Sequence, residues 1–317
     1  MKIVVVEPLG ISNAKLQQLA QPLLQAGHEF TAYQERETDP GRLLARIAEA
    51  DVVIVANQPL PAQVIDGCQR LQLLSVAFTG VDHIDLAACR RHNILVCNAA
   101  GYSTNAVAEL TFGLAISVIR NIVACDARSR SCGTKEGLTG FELYGKTFGV
   151  IGTGAIGSRV AKLALAFGCR VLACSRTEKP ELQALGVEYV SLDNLLAEAD
   201  FVSLHVPLTD GTRNLIDAEA VAKMKTGAVL LNTSRGPVVD SAAVAAALNE
   251  GRLGGAGIDV FENEPPIAAE HPLCQAKNTV LTPHVAFASR EALEKRAEIV
   301  FENISCWLRG VPQNKVE

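Results

Sequence analysis

The amino-acid sequence predicts an α/β protein with two doubly wound parallel sheets. Short apolar runs rich in β-branched residues alternate with helical patterns along the 317 residues, which is typical of parallel sheets covered by helices on both faces. One unit of this alternation carries three glycines at G-x-G-x-x-G spacing. Polar residues also follow several later apolar runs, at the strand ends where open α/β sheets bind their ligands. The length is sufficient for about two domains.

Composition and charge exclude several classes of function. Hydrophobic residues make up 49% of the chain and charged residues 20%, as in ordinary globular proteins. The formal net charge of −5 predicts no surface for nucleic acid or an anionic membrane. The chain enters a predicted strand at Lys2 without a secretory signal pattern. The nine cysteines form no C-x-x-C motif, so we expect reduced thiols, no metal site and a cytoplasmic location.

The first half of the chain predicts a doubly wound domain without a glycine fingerprint, with helical patterns at 14–26 and 43–50. The helical pattern at 103–119 is apolar on nearly every face, which indicates a helix buried on all sides. We therefore expect a connecting helix at the domain boundary that also contacts the second subunit of a homodimer. A polar, glycine-containing excursion follows at 126–146. Strands are predicted at 3–6, 28–33, 51–55, 72–77 and 94–97.

Residues 147–176 predict a strand, a glycine turn, a helix and a second strand, which together form a Rossmann unit. Gly152 permits the tight turn, Gly154 lets the backbone approach a phosphate, and Gly157 lets the helix pack against the strand. The pyrophosphate of a dinucleotide then binds at the helix N-terminus. A purely structural glycine turn is the alternative, but it explains one glycine better than three.

The alternation continues beyond residue 176, and the last helical pattern is expected to return to the first domain. Residues 1–100 with 287–317 are therefore predicted to form a flavodoxin-like substrate domain, and residues 101–286 a Rossmann nucleotide-binding domain. The later strands are predicted at 201–206, 227–232, 255–260 and 280–282, and the helices at 191–199, 217–224, 241–249 and 289–309.

Polar residues follow the strands of the second half: His205, Arg235, Asp259 with Glu264, and His284. The carboxyl ends of parallel strands meet at one edge of the sheet, so these side chains can converge on one ligand. The planar guanidinium of Arg235 suits a carboxylate. His284 lies among apolar residues and suits proton transfer near neutral pH. The Glu264 carboxylate would favour the imidazolium form of His284.

Arg235, Glu264 and His284 each have an ordinary structural interpretation as well. A single arginine after a strand is usually a surface salt-bridge partner, and a single histidine there is more often structural than catalytic. A glutamate before two prolines most often belongs to a solvated loop. The functional interpretation depends on all three side chains following strands of one nucleotide-binding unit.

Four motifs follow one another along the second half of the chain. They are Gly152-Thr153-Gly154-Ala155-Ile156-Gly157, Asn232-Thr233-Ser234-Arg235-Gly236, Gly257-Ile258-Asp259-Val260-Phe261 with Glu264-Pro265, and Thr282-Pro283-His284. In this order they resemble the D-isomer-specific 2-hydroxyacid dehydrogenase family, and together they are far more specific than any one of them. The resemblance covers essentially the whole chain, including Gly80-Val81-Asp82 with Ile84-Asp85 and Val107-Ala108-Glu109.

The resemblance implies a dehydrogenase that reduces small 2-oxo acids, such as glyoxylate, hydroxypyruvate or pyruvate, with NAD(P)H. It implies that Arg235 binds the substrate carboxylate and carbonyl, that His284 is the general acid/base, and that Glu264 is the partner of His284. Backbone at Thr79 and Gly80 would complete the substrate site. The nicotinamide would supply the hydride. Members of the family dimerise through their nucleotide domains.

The resemblance also implies a set of cofactor-binding residues. Asp259 and the backbone of residues 233–235 would hold the nicotinamide end. The whole predicted set is Thr104, Gly152, Gly154, Ala155, Ile156, Gly157, Ser175, Arg176, His205, Val206, Pro207, Thr212, Thr233, Ser234, Arg235, Asp259, His284 and Ala286.

Two departures from the family pattern bear on specificity. Ser175, followed by Arg176, stands where the family usually carries an acidic residue that binds the ribose 2′-hydroxyl. We therefore expect NADP to be preferred to NAD, with Lys179 nearby; alternatively, Arg176 packs along the adenine and both cofactors are accepted. Residues 286–289 lack the glycine often found after the histidine of the family, and Phe287 would narrow the substrate pocket.

Two other functions fit the same motifs. The first is an NAD(H)-sensing, corepressor-like interaction protein, but the chain has neither an added recognition segment nor a basic patch. The second is a phosphoglycerate dehydrogenase lacking a regulatory domain. Residues 71–83, the expected substrate loop, contain no Lys or Arg, which disfavours a phosphorylated substrate. Selection among 2-oxo acids depends on the shape of the pocket.

Overall fold

The computed structural model describes residues 1–264 and 266–316. The chain divides into two compact units, Met1–Ser103 with Ala288–Glu317, and Thr104–Phe287. Each unit contains one parallel sheet with its own buried core. The α/β fold class with two parallel sheets is therefore confirmed.

The first unit contains a five-stranded parallel sheet in the order β2-β1-β3-β4-β5, the flavodoxin-like order. The C-terminal helix, Arg290–Leu308, belongs to this unit, where the Ser75 hydroxyl of β4 donates to the carbonyl of Val300 at 3.0 Å. The strands are β1 (Lys2–Val5), β2 (Glu29–Ala32), β3 (Val52–Val55), β4 (Leu73–Val76) and β5 (Leu95–Cys97), and the helices before the boundary are α1 (Asn13–Gln25), α2 (Pro40–Ile47), α3 (Ala62–Asp66) and α4 (Leu86–Arg91).

The second unit contains a seven-stranded parallel sheet in the order β12-β11-β10-β9-β6-β7-β8. The order reverses between β6 and β9, which is the switch point where doubly wound sheets bind ligands. The strands are β6 (Thr147–Ile151), β7 (Arg170–Cys174), β8 (Val187–Tyr189), β9 (Phe201–Leu204), β10 (Val229–Asn232), β11 (Gly255–Ile258) and β12 (Thr279–Leu281). The helices are α5 (Thr104–Ile119), α6 (Ile122–Arg130), α7 (Ala155–Ala166), α8 (Pro180–Gln183), α9 (Leu192–Glu198), α10 (Ala218–Lys223) and α11 (Ser241–Asn249).

Pairing register aligns the carboxyl ends of this sheet. Ile151 pairs with Cys174 on one side and with Leu204 on the other. Leu204 pairs in turn with Asn232, Asn232 with Ile258, and Ile258 with Leu281. The loops that leave six neighbouring strands therefore begin at one level along one edge, and they carry every strand-end residue singled out in the second half of the sequence.

The connecting helix α5 packs closely on the sheet because two glycines of β11 lack side chains. A Cβ at Gly257 would crowd Leu114, and one at Gly255 would crowd Val118. The helix is not buried on all faces, because Glu109 is exposed. Apart from such exposed positions, α5 is buried on more than one face: Leu114 packs against β11, and Phe112 stacks on Phe148 of β6.

The prediction of a polar excursion at 126–146 is partly wrong, because helix α6 extends to Arg130. The chain leaves α5 through Asn121, whose φ of 52° is left-handed, and α6 has no buried residue. The short elements α3, α4, α8 and β8 were also not predicted, since they are only three to six residues long. Within the described residues no single helix is apolar and long enough to cross a membrane; only α5 and α6 together, bent by 60°, match such a span in length and composition.

Candidate active site

The turn that carries Arg235 is held by the side chain of Asn232. Its Oδ1 accepts hydrogen bonds from the backbone N–H of Ser234 at 3.0 Å and from the Ser234 hydroxyl at 2.8 Å. Its Nδ2 donates to the carbonyl of Arg235 at 2.9 Å. The next residue is Gly236, where a Cβ would overlap the backbone of Phe261. The arginine loop therefore lies directly against the exit of β11, the strand that leads to Glu264.

Glu264 and His284 are hydrogen bonded. Oε1 of Glu264 lies 2.6 Å from Nδ1 of His284, and Oε2 accepts from the backbone N–H of Phe261 at 3.1 Å. Both carboxylate oxygens are engaged, so the orientation of Glu264 is fixed. The side chains are 16% and 33% exposed, respectively. A partly buried carboxylate bound to one imidazole nitrogen orients the ring and leaves Nε2 as the nitrogen suited to proton transfer.

The backbone of His284 is in a sparsely populated conformation. Its φ is 54°, in the left-handed region, where histidine is more common than most non-glycine residues. The N–H of His284 donates to the carbonyls of Asp259, at 2.7 Å, and Thr282, at 3.0 Å. The ring of Phe287 meets the imidazole edge to face with centroids 5.8 Å apart. Backbone strain of this kind is concentrated at functional sites.

Asp259 anchors the loop that carries His284. It is fully buried, and Oδ1 accepts from the Thr282 hydroxyl at 2.6 Å and from the N–H of Val285 at 2.9 Å, while Oδ2 accepts from the N–H of Ala286 at 2.9 Å. Burial raises the pKa of Asp259, although these hydrogen bonds act in the opposite direction. This anchoring role was not expected from the sequence; a contact of Asp259 with nicotinamide stays a prediction.

A cavity of about 560 Å³ lies at the switch point between β6 and β9. Its size is in the range of cofactor sites. Eight predicted cofactor residues line it: Gly152, Gly154, Ser175, Arg176, His205, Val206, Pro207 and Thr212. Of the other lining residues, only Lys179 was expected nearby; the rest were not predicted, and they are Ile151, Thr153, Cys174, Thr177, Leu192, Thr209, Gly211 and Leu215.

The glycine turn at the floor of this cavity has the geometry of a phosphate site. Gly152 has a φ of 92°, and a Cβ there would overlap the carbonyl of His205. A Cβ at Gly157 would overlap the carbonyl of Gly152, so the close approach of α7 to β6 requires glycine. Gly154 begins α7 without a side-chain cap, and the described residues leave the space beside its Cα open. Uncapped N–H groups at a helix N-terminus bind anions.

His205 forms part of the cavity wall in its neutral form. Its Nε2 lies 2.8 Å from the Ser203 hydroxyl. Burial lowers the pKa of His205 to about 3, so the ring is uncharged at neutral pH. His205 therefore contributes shape and hydrogen bonding to the cavity but no positive charge.

The cavity also contains the residues expected to recognise the adenosine ribose. The hydroxyl of Ser175 accepts from the N–H of Thr153 at 3.3 Å. Arg176 is exposed, and among the described residues it makes no hydrogen bond or ion pair. Among the residues that the structure describes, no acidic side chain lines the cavity. This end of the cavity is therefore positively charged.

The remaining predicted residues lie outside the lining of this cavity. Ala155 and Ile156 lie in the first turn of α7, and Thr104 begins α5. Thr233 is buried, and its hydroxyl oxygen is hydrogen bonded to the hydroxyl oxygen of Thr111 at 3.1 Å. Ser234, Arg235, Asp259, His284 and Ala286 occupy the loops after β10, β11 and β12.

In the first unit, Thr79 and Gly80 follow the carboxyl end of β4, and the carbonyl of Thr79 accepts from Nδ2 of Asn98 at 2.8 Å. Their predicted contact with substrate stays a prediction. In the part of the chain that the structure describes, no group of three or more His, Cys, Asp or Glu side chains could hold a metal ion.

Known proteins are similar to this chain in sequence and in fold. Residues 112–286 match the family model of the D-isomer specific 2-hydroxyacid dehydrogenase NAD binding domain. A glyoxylate reductase from Thermococcus litoralis is 38% identical over 306 residues, which cover 93% of this chain and 92% of the relative. A hydroxypyruvate reductase from Thermotoga maritima is 40% identical over 283 residues, covering 88% and 92%. The structure of a D-lactate dehydrogenase from Aquifex aeolicus, complexed with NAD and lactic acid, is 30% identical with a TM-score of 0.84, covering 98% of this chain and 96% of that one.

Proposed function

Because the chain belongs to the D-isomer specific 2-hydroxyacid dehydrogenase family, we propose that it transfers a hydride between NAD(P)H and a small 2-oxo acid. The observation that carries this proposal is the 2.6 Å contact of Glu264 with His284 at the sheet edge that also contains the dinucleotide-sized cavity. Glyoxylate, hydroxypyruvate and pyruvate are the candidate substrates. Relatives named for reduction of glyoxylate and hydroxypyruvate support this class.

The residues of the second unit fit a dinucleotide. The glycine turn, the uncapped N-terminus of α7 and the cavity match the phosphate and adenosine portions of such a ligand. When bound, the nicotinamide would supply the hydride. The chain itself would then bind the substrate, hold it beside the cofactor and transfer the proton.

Arg235, His284 and Glu264 carry out substrate binding and proton transfer in this proposal. The Arg235 guanidinium binds the substrate carboxylate and polarises the adjacent carbonyl. Nε2 of His284 would donate a proton to the carbonyl oxygen of the 2-oxo acid, which becomes the hydroxyl of the 2-hydroxy acid. Glu264 holds the ring through Nδ1 and stabilises its positive charge before transfer. In the oxidative direction the same nitrogen accepts the hydroxyl proton.

The two-domain assignment follows from these roles. Residues 101–286 form the nucleotide-binding domain in this proposal, and residues 1–100 with 287–317 form the substrate domain. The compact units of the chain, divided at Ser103 and Ala288, support these bounds. Thr79 and Gly80 are the substrate-binding residues that we assign to the substrate domain.

We further propose that NADPH is the preferred cofactor. Ser175 and Arg176 line the adenosine end of the cavity, and its lining contains no carboxylate to repel a 2′-phosphate. Acceptance of both cofactors is the alternative. A higher kcat/KM for NADPH than for NADH supports the preference, whereas an equal or higher value for NADH contradicts it.

The second unit is proposed to form a homodimer. Its exposed apolar side chains include Ile122 and Val123 on α6, and also Phe141, Tyr144 and Phe167. The two adjacent apolar residues on α6 favour an interaction surface there. The molar mass measured by light scattering at micromolar protein concentration distinguishes a dimer from a monomer.

A cytoplasmic location is also part of the proposal. All nine cysteines, each within the described residues, are free thiols. Burial raises the pKa of Cys68, Cys97 and Cys169 to about 11, which keeps these thiols protonated and unreactive. The alternative functions, a corepressor-like sensor or a phosphoglycerate dehydrogenase, are not favoured.

The proposed reaction is tested with purified protein and a panel of 2-oxo acids, following oxidation of NADPH and NADH in parallel. We expect turnover with at least one of glyoxylate, hydroxypyruvate and pyruvate. His284→Ala should lower kcat by about 10²–10⁴-fold, the usual contribution of a positioned acid or base, with little change in cofactor affinity. Absence of cofactor oxidation with every acid would contradict the proposed function.

A further inference from the structure

A tyrosine hydroxyl outside the sequence motifs joins two loops of the cofactor cavity. Tyr189 is the last residue of β8, the edge strand of the second sheet. Its hydroxyl donates to Oγ1 of Thr153 at 3.1 Å and accepts from the N–H of Lys179 at 3.0 Å. Thr153 belongs to the glycine turn, and Lys179 to the loop after β7. Tyr189 therefore fixes the distance between these loops.

Thr153 connects this hydroxyl to the rest of the cavity. The side chain is 2% exposed, and its N–H donates to the Ser175 hydroxyl at 3.3 Å. Its carbonyl accepts from the Ser158 hydroxyl, in the first turn of α7, at 2.9 Å. The position of the turn is thus determined by polar contacts on both sides, because buried polar networks of this kind hold their members in one arrangement.

Lys179 is a positively charged residue whose position is fixed by this network. Its Nζ donates to the Ser158 hydroxyl at 3.0 Å, and the residue lines the cavity with Ser175 and Thr177. In residues 1–264 and 266–316 no carboxylate pairs with Lys179. The Ser158 contact uses one of three ammonium donors. A partly buried ammonium without a counter-ion, held at both its backbone and its head, is arranged to bind an anion.

We propose that Lys179 binds the 2′-phosphate of NADPH and that Tyr189 is a positioning residue for this contact. The inference rests on the proposed NADPH preference and adds to it two residues outside the Ser175 and Arg176 pair. Arg176 is exposed and has no partner among the described residues, so its side chain must be ordered when the ligand binds. Lys179 is already placed by Ser158 and Tyr189, which reduces the entropic cost of binding.

A purely structural role for Tyr189 would lead to a different effect of its removal on ligand affinity. If its hydroxyl only stabilised the fold of the glycine turn, removal would weaken every ligand of the cavity to the same extent. If it positions Lys179, removal weakens only ligands that carry a 2′-phosphate. Adenosine fragments separate these cases, because they bind without the nicotinamide half and without the catalytic residues.

The experiment measures binding of 2′,5′-ADP and of ADP to the full chain by titration calorimetry. Wild-type protein is expected to bind 2′,5′-ADP more tightly. Lys179→Met should weaken 2′,5′-ADP by roughly tenfold or more, as for the loss of a hydrogen bond to a charged group, and should leave ADP within about twofold. Tyr189→Phe should weaken 2′,5′-ADP by about threefold to tenfold with the same selectivity.

The double variant and a matched control complete the test. Lys179→Met with Tyr189→Phe should weaken 2′,5′-ADP by less than the product of the single effects, because the tyrosine acts through the lysine. Tyr144→Phe removes a hydroxyl from a side chain that is 76% exposed and should change neither affinity. The NADPH to NADH ratio of kcat/KM should follow the same pattern across these variants.

The outcomes separate this inference from the proposed function. The inference is overturned if either Tyr189→Phe or Lys179→Met leaves the affinity for 2′,5′-ADP unchanged. It is also overturned if either substitution weakens the binding of ADP as much as that of 2′,5′-ADP. In both cases the NADPH preference stands. Wild-type protein that binds ADP as tightly as 2′,5′-ADP overturns both the preference and the inference. Reduction of 2-oxo acids with NADH would survive either result.

Discussion

At the scale of single residues, the proposed proton transfer depends on one contact between a carboxylate oxygen of Glu264 and an imidazole nitrogen of His284. Glu264 also accepts from the backbone N–H of Phe261, and the backbone N–H of His284 donates to the carbonyls of Asp259 and Thr282. Neither side chain can turn away without breaking the hydrogen bond between them. In the proposed reaction this fixed arrangement would lower the reorganisation needed in the transition state.

Glu264→Gln should shift the pH optimum for reduction to lower pH. The amide keeps the shape of the side chain but removes the negative charge that favours the imidazolium, and reduction requires that protonated form. The measurement is kcat/KM for the 2-oxo acid across pH, with NADPH saturating. An unchanged optimum would show that Glu264 is not the charged partner of the proton donor.

Ser175→Asp should change the cofactor preference toward NADH. A carboxylate at the end of β7 accepts a hydrogen bond from a free ribose 2′-hydroxyl and repels a 2′-phosphate. The expected change comes mainly from weaker NADPH binding, measured as KM for each cofactor. Ser175→Ala is the matched control, since it removes the hydroxyl without adding charge. Equal effects of the two substitutions would contradict a role for charge at this position.

At the scale of elements, side chains that join strand ends determine how each loop is held. Asp259 joins β11 to the loop of His284, and Asn232 shapes the turn after β10. Asp51 acts similarly at the amino end of the first sheet. Its Oδ2 accepts from the N–H of Lys2 at 2.7 Å, and its Oδ1 contacts Arg70 at 3.1 Å. The Asn232 contact is local, whereas the contacts of Asp259 and Asp51 link residues 19 to 49 positions apart in the sequence.

Asp51→Asn should destabilise the protein at neutral pH by about 1–3 kcal/mol, the usual effect of disturbing a buried hydrogen-bonded group. Burial raises the pKa of Asp51, but the bonds from Lys2 and Arg70 outweigh it and lower the pKa overall. The stabilisation is thus complete above the unfolded-state pKa of about 3.9 and is lost as pH falls through the lower folded-state value. Urea unfolding at neutral and acid pH measures this; a difference that grows on acidification would contradict the assignment.

At the scale of the whole molecule, the proposed homodimer depends on helix α6. This helix has no buried residue, and Val123 on it is 62% exposed. In the proposed dimer a second copy would cover these apolar side chains and remove them from water.

Val123→Glu should dissociate the proposed dimer, because a charge buried at an apolar interface is costly to desolvate. Val311→Glu is the matched control, since Val311 is also 62% exposed but belongs to the other unit. Light scattering over a range of protein concentrations measures the mass. A monomeric wild-type protein, or a Val123→Glu variant with unchanged mass, would contradict the proposed interface.

Local sequence was sufficient for the elements with a strong short-range signal. Apolar runs predicted most strands to within two or three residues, and capping residues such as Asp240 and Ser289 predicted helix starts. The glycine turn was also predictable, because a left-handed φ at Gly152 and the absence of a Cβ at Gly157 are properties of single residues. These features depend on conformational preferences within a few residues.

The tertiary structure alone decided which side chains meet across long separations. Tyr189 and Thr153 lie 36 positions apart, and Asp259 reaches Ala286 across 27. Neither contact has a periodic pattern or a motif, since each depends on strand order and register. The same holds for the edge strand β8, which is too short to be stable without β7. The sequence by itself therefore determined the main elements and the glycine turn, because these depend on local preferences. Only the pairing of strands in the sheet decided how the loops are held and which side chains line the cavity.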